Sequence, residues 1–142
     1  MDKAVTKFLN THRVSVLGIL QKNNAIHSAS LHFAYSKDTN SFYFITAKST
    51  RKCESLINNE TQNASLVIGF SEEEFATFQA EGKVKIVTRN DEDTAWNTYL
   101  RKYPEREAKK KDKSYVILEF KPGTWKFTNM KEDPAIKISS ED

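Results

Sequence analysis

The side chains best placed to do chemistry together are Thr46, Ser49, Thr50, Arg51 and Lys52. They follow Phe42 to Ile45, where aromatic and aliphatic residues alternate as in a strand, and they precede Cys53, Leu56 and Ile57, spaced i, i+3, i+4 as on one face of a helix. Thr50 stands where an N-cap belongs, with Arg51 and Lys52 in the first turn. A helix start ordinarily favours acidic side chains, because its unpaired N–H groups are positive. Two cations and three hydroxyls at that end suggest an anion, most simply a phosphate. Arg51 offers a planar fork to phosphate oxygens and Lys52 a point charge.

Other chemistries find less support. Cys53 falls on the apolar stripe and reads as a core residue, and no GxSxG elbow accompanies the serines. His12, His27 and His32 lack HxxxH spacing, and His27 and His32 point to opposite faces of one strand. The acidic residues gather in turns and helix starts, so no acid–base pair stands out. With four glycines in the chain, neither GxGxxG nor a P-loop is present. No residue is singled out as catalytic.

The elements that must position the phosphate motif are mostly strands. Asp2 to Asn10 reads as a short capped helix with Val5, Phe8 and Leu9 on one face. Arg13 to Gln21 is an apolar strand, Lys22-Asn23-Asn24 a tight turn, and Ala25 to Tyr35 a long alternating strand, forming a hairpin. On that strand Ala25, His27, Ala29, Leu31, Phe33 and Tyr35 share one face, and Ile26, Ser28, Ser30, His32 and Ala34 the other. Ser41 to Thr46 is the third strand; a helix is expected over Arg51 to Asn59. Strands follow at Ala64 to Phe70 and Phe75 to Val87, the latter with Gly82 as a bulge or bend. Asp91 to Tyr103 is an amphipathic helix ended by Pro104, and Lys109 to Lys113 a solvated loop. Two closing strands, Tyr115 to Phe120 and Thr124 to Thr128, flank a Pro122-Gly123 turn, and residues 131–142 read as a polar, frayed tail. About seven strands and three helices without a βαβ rhythm predict an α+β, mainly β, antiparallel barrel in one domain over residues 1–130.

Composition sets outer bounds. The chain has 142 residues, 29% charged, and a formal net charge of +3, too mild for a patterned nucleic-acid surface. One cysteine excludes an intramolecular disulfide. No run reaches the length of a membrane span, so the expectation is a cytoplasmic protein with no membrane or nucleic-acid partner.

The stretch FYFITAKSTRKCESL resembles the flavin-phosphate motif of the pyridoxamine phosphate oxidase-like, FMN-binding split-barrel superfamily. Ile45-Thr46 matches the end of that family's strand and Thr50-Arg51-Lys52 its triplet. Ser28 to His32 matches the strand lying along the flavin, and Phe78 to Gly82 a later strand where a polar residue precedes a glycine. Lys126-Phe127-Thr128 matches a segment of a small bacterial branch distinct from the oxidase itself. The resemblance implies a split barrel that binds FMN, as a homodimer with sites at the interface. It implies that Thr46, Thr50, Arg51 and Lys52 hold the phosphate, that Ser30 and Leu31 lie along the isoalloxazine, with Ile45 at the strand end, and that Gln79 reaches in from the second chain or the facing strand. A flavin-dependent oxidoreductase acting on an unnamed substrate or electron donor is the expected function. The competing expectation is a non-catalytic module holding haem, a deazaflavin or nothing, with His27 or His32 beside the slot. Departures accompany the resemblance. Ser30 and Tyr35 stand where the oxidase has basic residues, Thr77 stands where it has its flavin-contacting Gln, and its C-terminal Arg/His set has no counterpart.

Overall fold

The computed structural model describes residues 1–140. Helix α1 spans Lys3–Thr11, with Asp2 capping it through Oδ1 to the Ala4 N–H at 2.7 Å. The strands are β1 (Val14–Leu20), β2 (Ile26–His32), β3 (Ala34–Ser36), β4 (Ser41–Ala47), β5 (Gln62–Ile68), β6 (Ala76–Ile86), β7 (Tyr115–Asn129) and β8 (Ile136–Ser139). Helix α2 is Arg51–Glu54 and α3 is Arg89–Lys102. All strand pairs are antiparallel, in the order β2-β1-β5-β6-β7-β4-β3, with β8 added to β7.

The two ends of this order, β2 and β3, are consecutive in the chain and separated only by Phe33. The sheet therefore curls until one segment serves both edges, which gives the antiparallel split barrel expected from the sequence. The alternation expected from Ala25 to Tyr35 holds through that bend, but the segment is two strands. The corner is pinned by the Phe33 N–H to the Arg13 carbonyl at 3.0 Å and by Tyr103 Oη, which lies 2.7 Å from the Phe33 carbonyl.

The interior is filled by Leu17, Ile19, Phe33, Phe42, Phe44, Leu66, Phe78 and Phe120, together with Val5, Phe8 and Leu9 of α1. A second layer forms outside β3, β4 and β7, where Trp96 and Tyr99 of α3, with Tyr103 just past its end, cover Ala34, Tyr43 and Ile117.

Four expectations are corrected. Tyr115 to Asn129 is one strand, because β6 is long enough to pair with both halves. Pro122-Gly123 makes a bulge within it: Glu81 pairs with Thr124 and Gly82 with Pro122, leaving Gly123 as the extra residue. Gly82 admits this approach because a Cβ there would lie 2.1 Å from the Lys121 carbonyl oxygen. Beyond Met130, Ile136–Ser139 joins the sheet, with Ile136 and Ile138 packed on the core; the last two residues of the expected tail lie outside the described ones. The helix from Arg51 stops at Glu54, and a 3-10 turn over Ile57–Asn59 follows in which Asn58 has φ +67°. Ile57 is consequently 49% exposed instead of on the buried stripe. Finally, Pro104–Lys111 is a series of 3-10 turns, tied to α3 by Lys110 and Asp93 at 3.5 Å.

Candidate functional site

The motif sits where β4 leaves the barrel. Phe42, Phe44 and Thr46 point inward, whereas Ile45 packs under α3 in the outer layer. Ala47 ends the strand, and Thr50 takes the N-cap backbone conformation (φ −74°, ψ 158°), its carbonyl accepting from the Cys53 N–H at 3.0 Å. Its side chain does not cap. Thr50 Oγ1 donates to the Ala47 carbonyl at 2.8 Å and lies 3.3 Å from Thr46 Oγ1, so the two hydroxyls brace the turn. Four helical residues carry little macrodipole. The charge that this turn offers an anion comes from side chains.

Arg51 and Lys52 supply that charge. Among the described residues neither has a carboxylate within 4 Å, whereas Lys22, Lys85 and Lys110 each do. Cys53 is wholly buried beneath them, and burial pushes its thiol pKa up, which suits a packing residue and not a nucleophile. Helix α2 packs beside β2, the strand expected to lie along a flavin.

The structure brings some expected site residues together and separates others. Ser30 and Leu31, as neighbours in a strand, face opposite ways: Ser30 is exposed on the outside of the sheet and Leu31 packs on the core. A flat ring can meet both only along the backbone. Gln79 is also on the outer face. Ser30 pairs with Val16, Val16 with Val67, and Val67 with Gln79, so Ser30 and Gln79 lie in one row three strand spacings apart. At 4.7–4.9 Å per spacing that is about 14 Å. Within one chain they do not converge.

A cavity of about 940 Å³ opens on this outer face and is lined by none of the expected residues. Its floor holds Gly18, where a Cβ would press on Ser65 Oγ at 3.1 Å and Ser28 Oγ at 3.2 Å; its rim carries Ile26, Glu81, Lys83 and Lys121. A smaller cavity of about 240 Å³ lies between Arg51, Glu54 and Ser55 on one side and Gln21, Lys22 and Asn23 of the β1–β2 turn on the other. Sequence reasoning did not single out Ser55, a buried hydroxyl without a hydrogen-bond partner.

The histidines are dispersed. His12 bridges the Phe8 carbonyl at 2.7 Å and Glu74 at 2.9 Å. His32 is on the outer face, edge-on to Tyr103, and its pKa is lowered by burial and then by Arg106 and Arg13. Among the described residues no three His, Cys, Asp or Glu side chains gather to hold a metal, and no helix is long and apolar enough to cross a membrane.

A curled antiparallel barrel whose strand-to-helix turn presents an unpaired Arg-Lys pair defines a class, and comparison with known proteins gives it a family. The family model described as pyridoxamine 5'-phosphate oxidase matches residues 1–129. The chain belongs to that family. It is 29% identical over 141 residues to general stress protein 26 of Bacillus subtilis (strain 168), covering 97% of this chain and 95% of that protein. Two solved structures share the fold. A pyridoxamine 5'-phosphate oxidase-related, FMN-binding protein from Nostoc punctiforme PCC 73102 matches with TM-score 0.64 and 17% identity, over 94% of this chain and 86% of the other. HutZ, the haem storage protein from Vibrio cholerae, matches with TM-score 0.71 and 11% identity, over 85% and 89%.

Proposed function

We propose that this protein binds FMN and acts as a flavin-dependent oxidoreductase, with the flavin phosphate at the start of α2. The observation carrying this reading is the pair Arg51 and Lys52, exposed or half-buried, without carboxylate partners, at the turn that matches the family's phosphate motif. The residues present fit the group: a phosphate dianion would neutralise two cations that nothing else in the described chain neutralises. Arg51 and Lys52 supply charge, and Thr46 and Thr50 form the edge of the phosphate site. Ser30 and the backbone at Leu31 lie along the ring, with the chain at Ile45 beside it. When bound, the flavin supplies hydride or electron transfer; the chain orients it and keeps water from one of its faces.

We further propose a homodimer formed through the outer face. The 14 Å between Ser30 and Gln79 supports it, since Gln79 reaches a ring beside Ser30 only from a second copy. The face also suits self-association: Ile26 is 72% exposed, the floor is small, and Glu81 stands among Lys83 and Lys121.

The test is a visible spectrum of the purified protein, with mass spectrometry of any small molecule that accompanies it. Flavin bands, or flavin bands after reconstitution with FMN, are expected. A Soret band would instead favour a haem module, for which His27 or His32, the latter with its pKa lowered by burial, would be the ligand.

A further inference from the structure

The loop from β5 to β6 presents an apolar tip. Phe70 and Phe75 are 56% and 59% exposed, and Met130, whose N–H bonds the Phe75 carbonyl at 3.0 Å, is exposed beside them. Phe75 has φ +51°, whereas the other non-glycine residues described with positive φ are Asn24, Asn40 and Asn58. Asn tolerates that backbone conformation, and a bulky side chain adopts it only with strain. The strained turn is fastened all the same, the Phe75 N–H donating to the Ser71 carbonyl at 2.9 Å. The fold thus bears strain to hold an aromatic ring in solvent. Between the two rings lie three carboxylates. Glu74 pairs with His12 at 2.9 Å, and Glu72 and Glu73 have no cation within 4 Å among the described residues.

The opposite sign collects at the end of β2. There His32 meets the edge of Tyr103, which lies under Arg13 and Arg106. The charges that act on His32 are Arg106, Arg13 and Lys102 against Glu105 alone, so this corner is net positive.

The strand rows decide how two copies bring tip and corner together. Setting Gln79 of one copy against Ser30 of the other, face to face, needs a two-fold axis that bisects the line between those residues. That line crosses the strands, so the axis runs parallel to them between β1 and β5, flanked by Val16 and Val67. An axis along the strands preserves height. The next outward-facing row, with His32 and Val14 at one end and Thr77 at the other, is therefore matched too, His32 against Thr77. Phe75, two residues beyond Thr77, then lies past the end of β2, where Tyr103, Arg13 and Arg106 stand.

We propose that the tip at residues 70–75 of each copy docks on the corner of Arg13, Tyr103 and Arg106 of the other, Phe75 against the aromatic corner and Glu72 and Glu73 beside the guanidiniums. This rests on the homodimer reading and adds which surfaces meet. By symmetry the contact is made twice, once at each end of the shared face.

The experiment is sedimentation equilibrium of the full chain, of a tip variant (Glu72→Lys with Glu73→Lys), of a corner variant (Arg13→Glu), and of the two variants mixed in equal amounts. Each variant alone sets like charges together at both ends of the face and should dimerise at least about tenfold more weakly than the parent. In the mixture a lysine tip meets a glutamate corner and a native tip meets a native corner, so a heterodimer should form near the parent's affinity. Phe75→Asn leaves the corner untouched and suits the left-handed backbone; it should keep the parent's circular dichroism and weaken the dimer about tenfold. A dimeric parent whose affinity neither the tip variant nor Phe75→Asn alters overturns the contact while the homodimer stands. A mixture of folded variants no more dimeric than its components does the same. A monomeric parent overturns both.

Discussion

Two groups of cations in this molecule are used in opposite ways. Around the C-terminal end of α3, every positive side chain is engaged by the protein. The Lys102 amine donates to the carbonyls of Leu9 at 3.2 Å and of His12, at the end of α1, and lies 4.1 Å from the centre of the Phe33 ring. Arg13 and Arg106 lie over the Tyr103 ring at 4.9 and 4.8 Å, and Arg106 donates to Tyr99 Oη. These charges hold α1, α3 and the β2–β3 corner together. At the start of α2, Arg51 and Lys52 hold nothing in the described chain. A charge that fastens elements is explained by the fold; other surface cations also lack a carboxylate among the described residues, and Arg51 and Lys52 differ from them in standing together at the strand-to-helix turn.

The comparison breaks most visibly at Tyr103. Tyr103→Ala removes a buried ring from between Arg13, Arg106 and His32, and with it the hydroxyl at the Phe33 and Arg13 carbonyls. A loss of about 4 kcal/mol is expected, measured by denaturant unfolding. The same free energy in the variant and the parent would deny the α3 cluster its fastening role.

The opposite outcome is expected at α2. Arg51→Ala with Lys52→Ala should cost at least about 2 kcal/mol of FMN binding and less than about 0.5 kcal/mol of folding stability. Titration calorimetry and unfolding of the same sample separate the two. A folded double variant with unchanged FMN affinity removes the assignment.

Protonation sharpens the contrast with a smaller effect. Burial, and then Arg13, lowers the Lys102 pKa from 10.5 to about 8. Below pH 8 the amine is charged in both folded and unfolded chains, and the fold bears the full cost of burying it. Between pH 8 and 10.5 the unfolded chain binds more protons, so stability should rise with pH. Tyr103, pushed up to about 12 mainly by burial, acts in the other direction above pH 10. The thermal midpoint should therefore climb from pH 8 to about 9, above which the raised thiol pKa of buried Cys53 opposes it, and Lys102→Met should flatten that climb; an equal climb in the variant would assign it to another group.

Much of this was legible in the residues. The alternation from Ala25 to Tyr35 gave the faces of β2 correctly, and the strand–turn–helix order around Thr50 placed Arg51 and Lys52 at a helix start. The bend at Phe33 was hidden because alternation runs through it unbroken; the contacts that pin it come from Arg13 and from the hydroxyl of Tyr103, 70 residues away. Pro122-Gly123 carries the local signals of a turn, and only the length of β6 makes it a bulge. Ile136–Ser139 is too short to announce itself without β7 beside it. Of the site, cation types and spacing were visible, but hydroxyl commitments were not. Thr50 stands in the cap position and bonds backward to Ala47, and nothing in the sequence marks Ser55 as the hydroxyl left unpaired.

The central claim is that the start of α2 holds the phosphate of a flavin. Its most direct measurement is the affinity of the unmodified protein for FMN against riboflavin under identical conditions. FMN should bind at least about tenfold more tightly, since the two ligands differ only in the group that Arg51 and Lys52 would hold. Equal affinities, or no binding of either flavin by the folded protein, would contradict it.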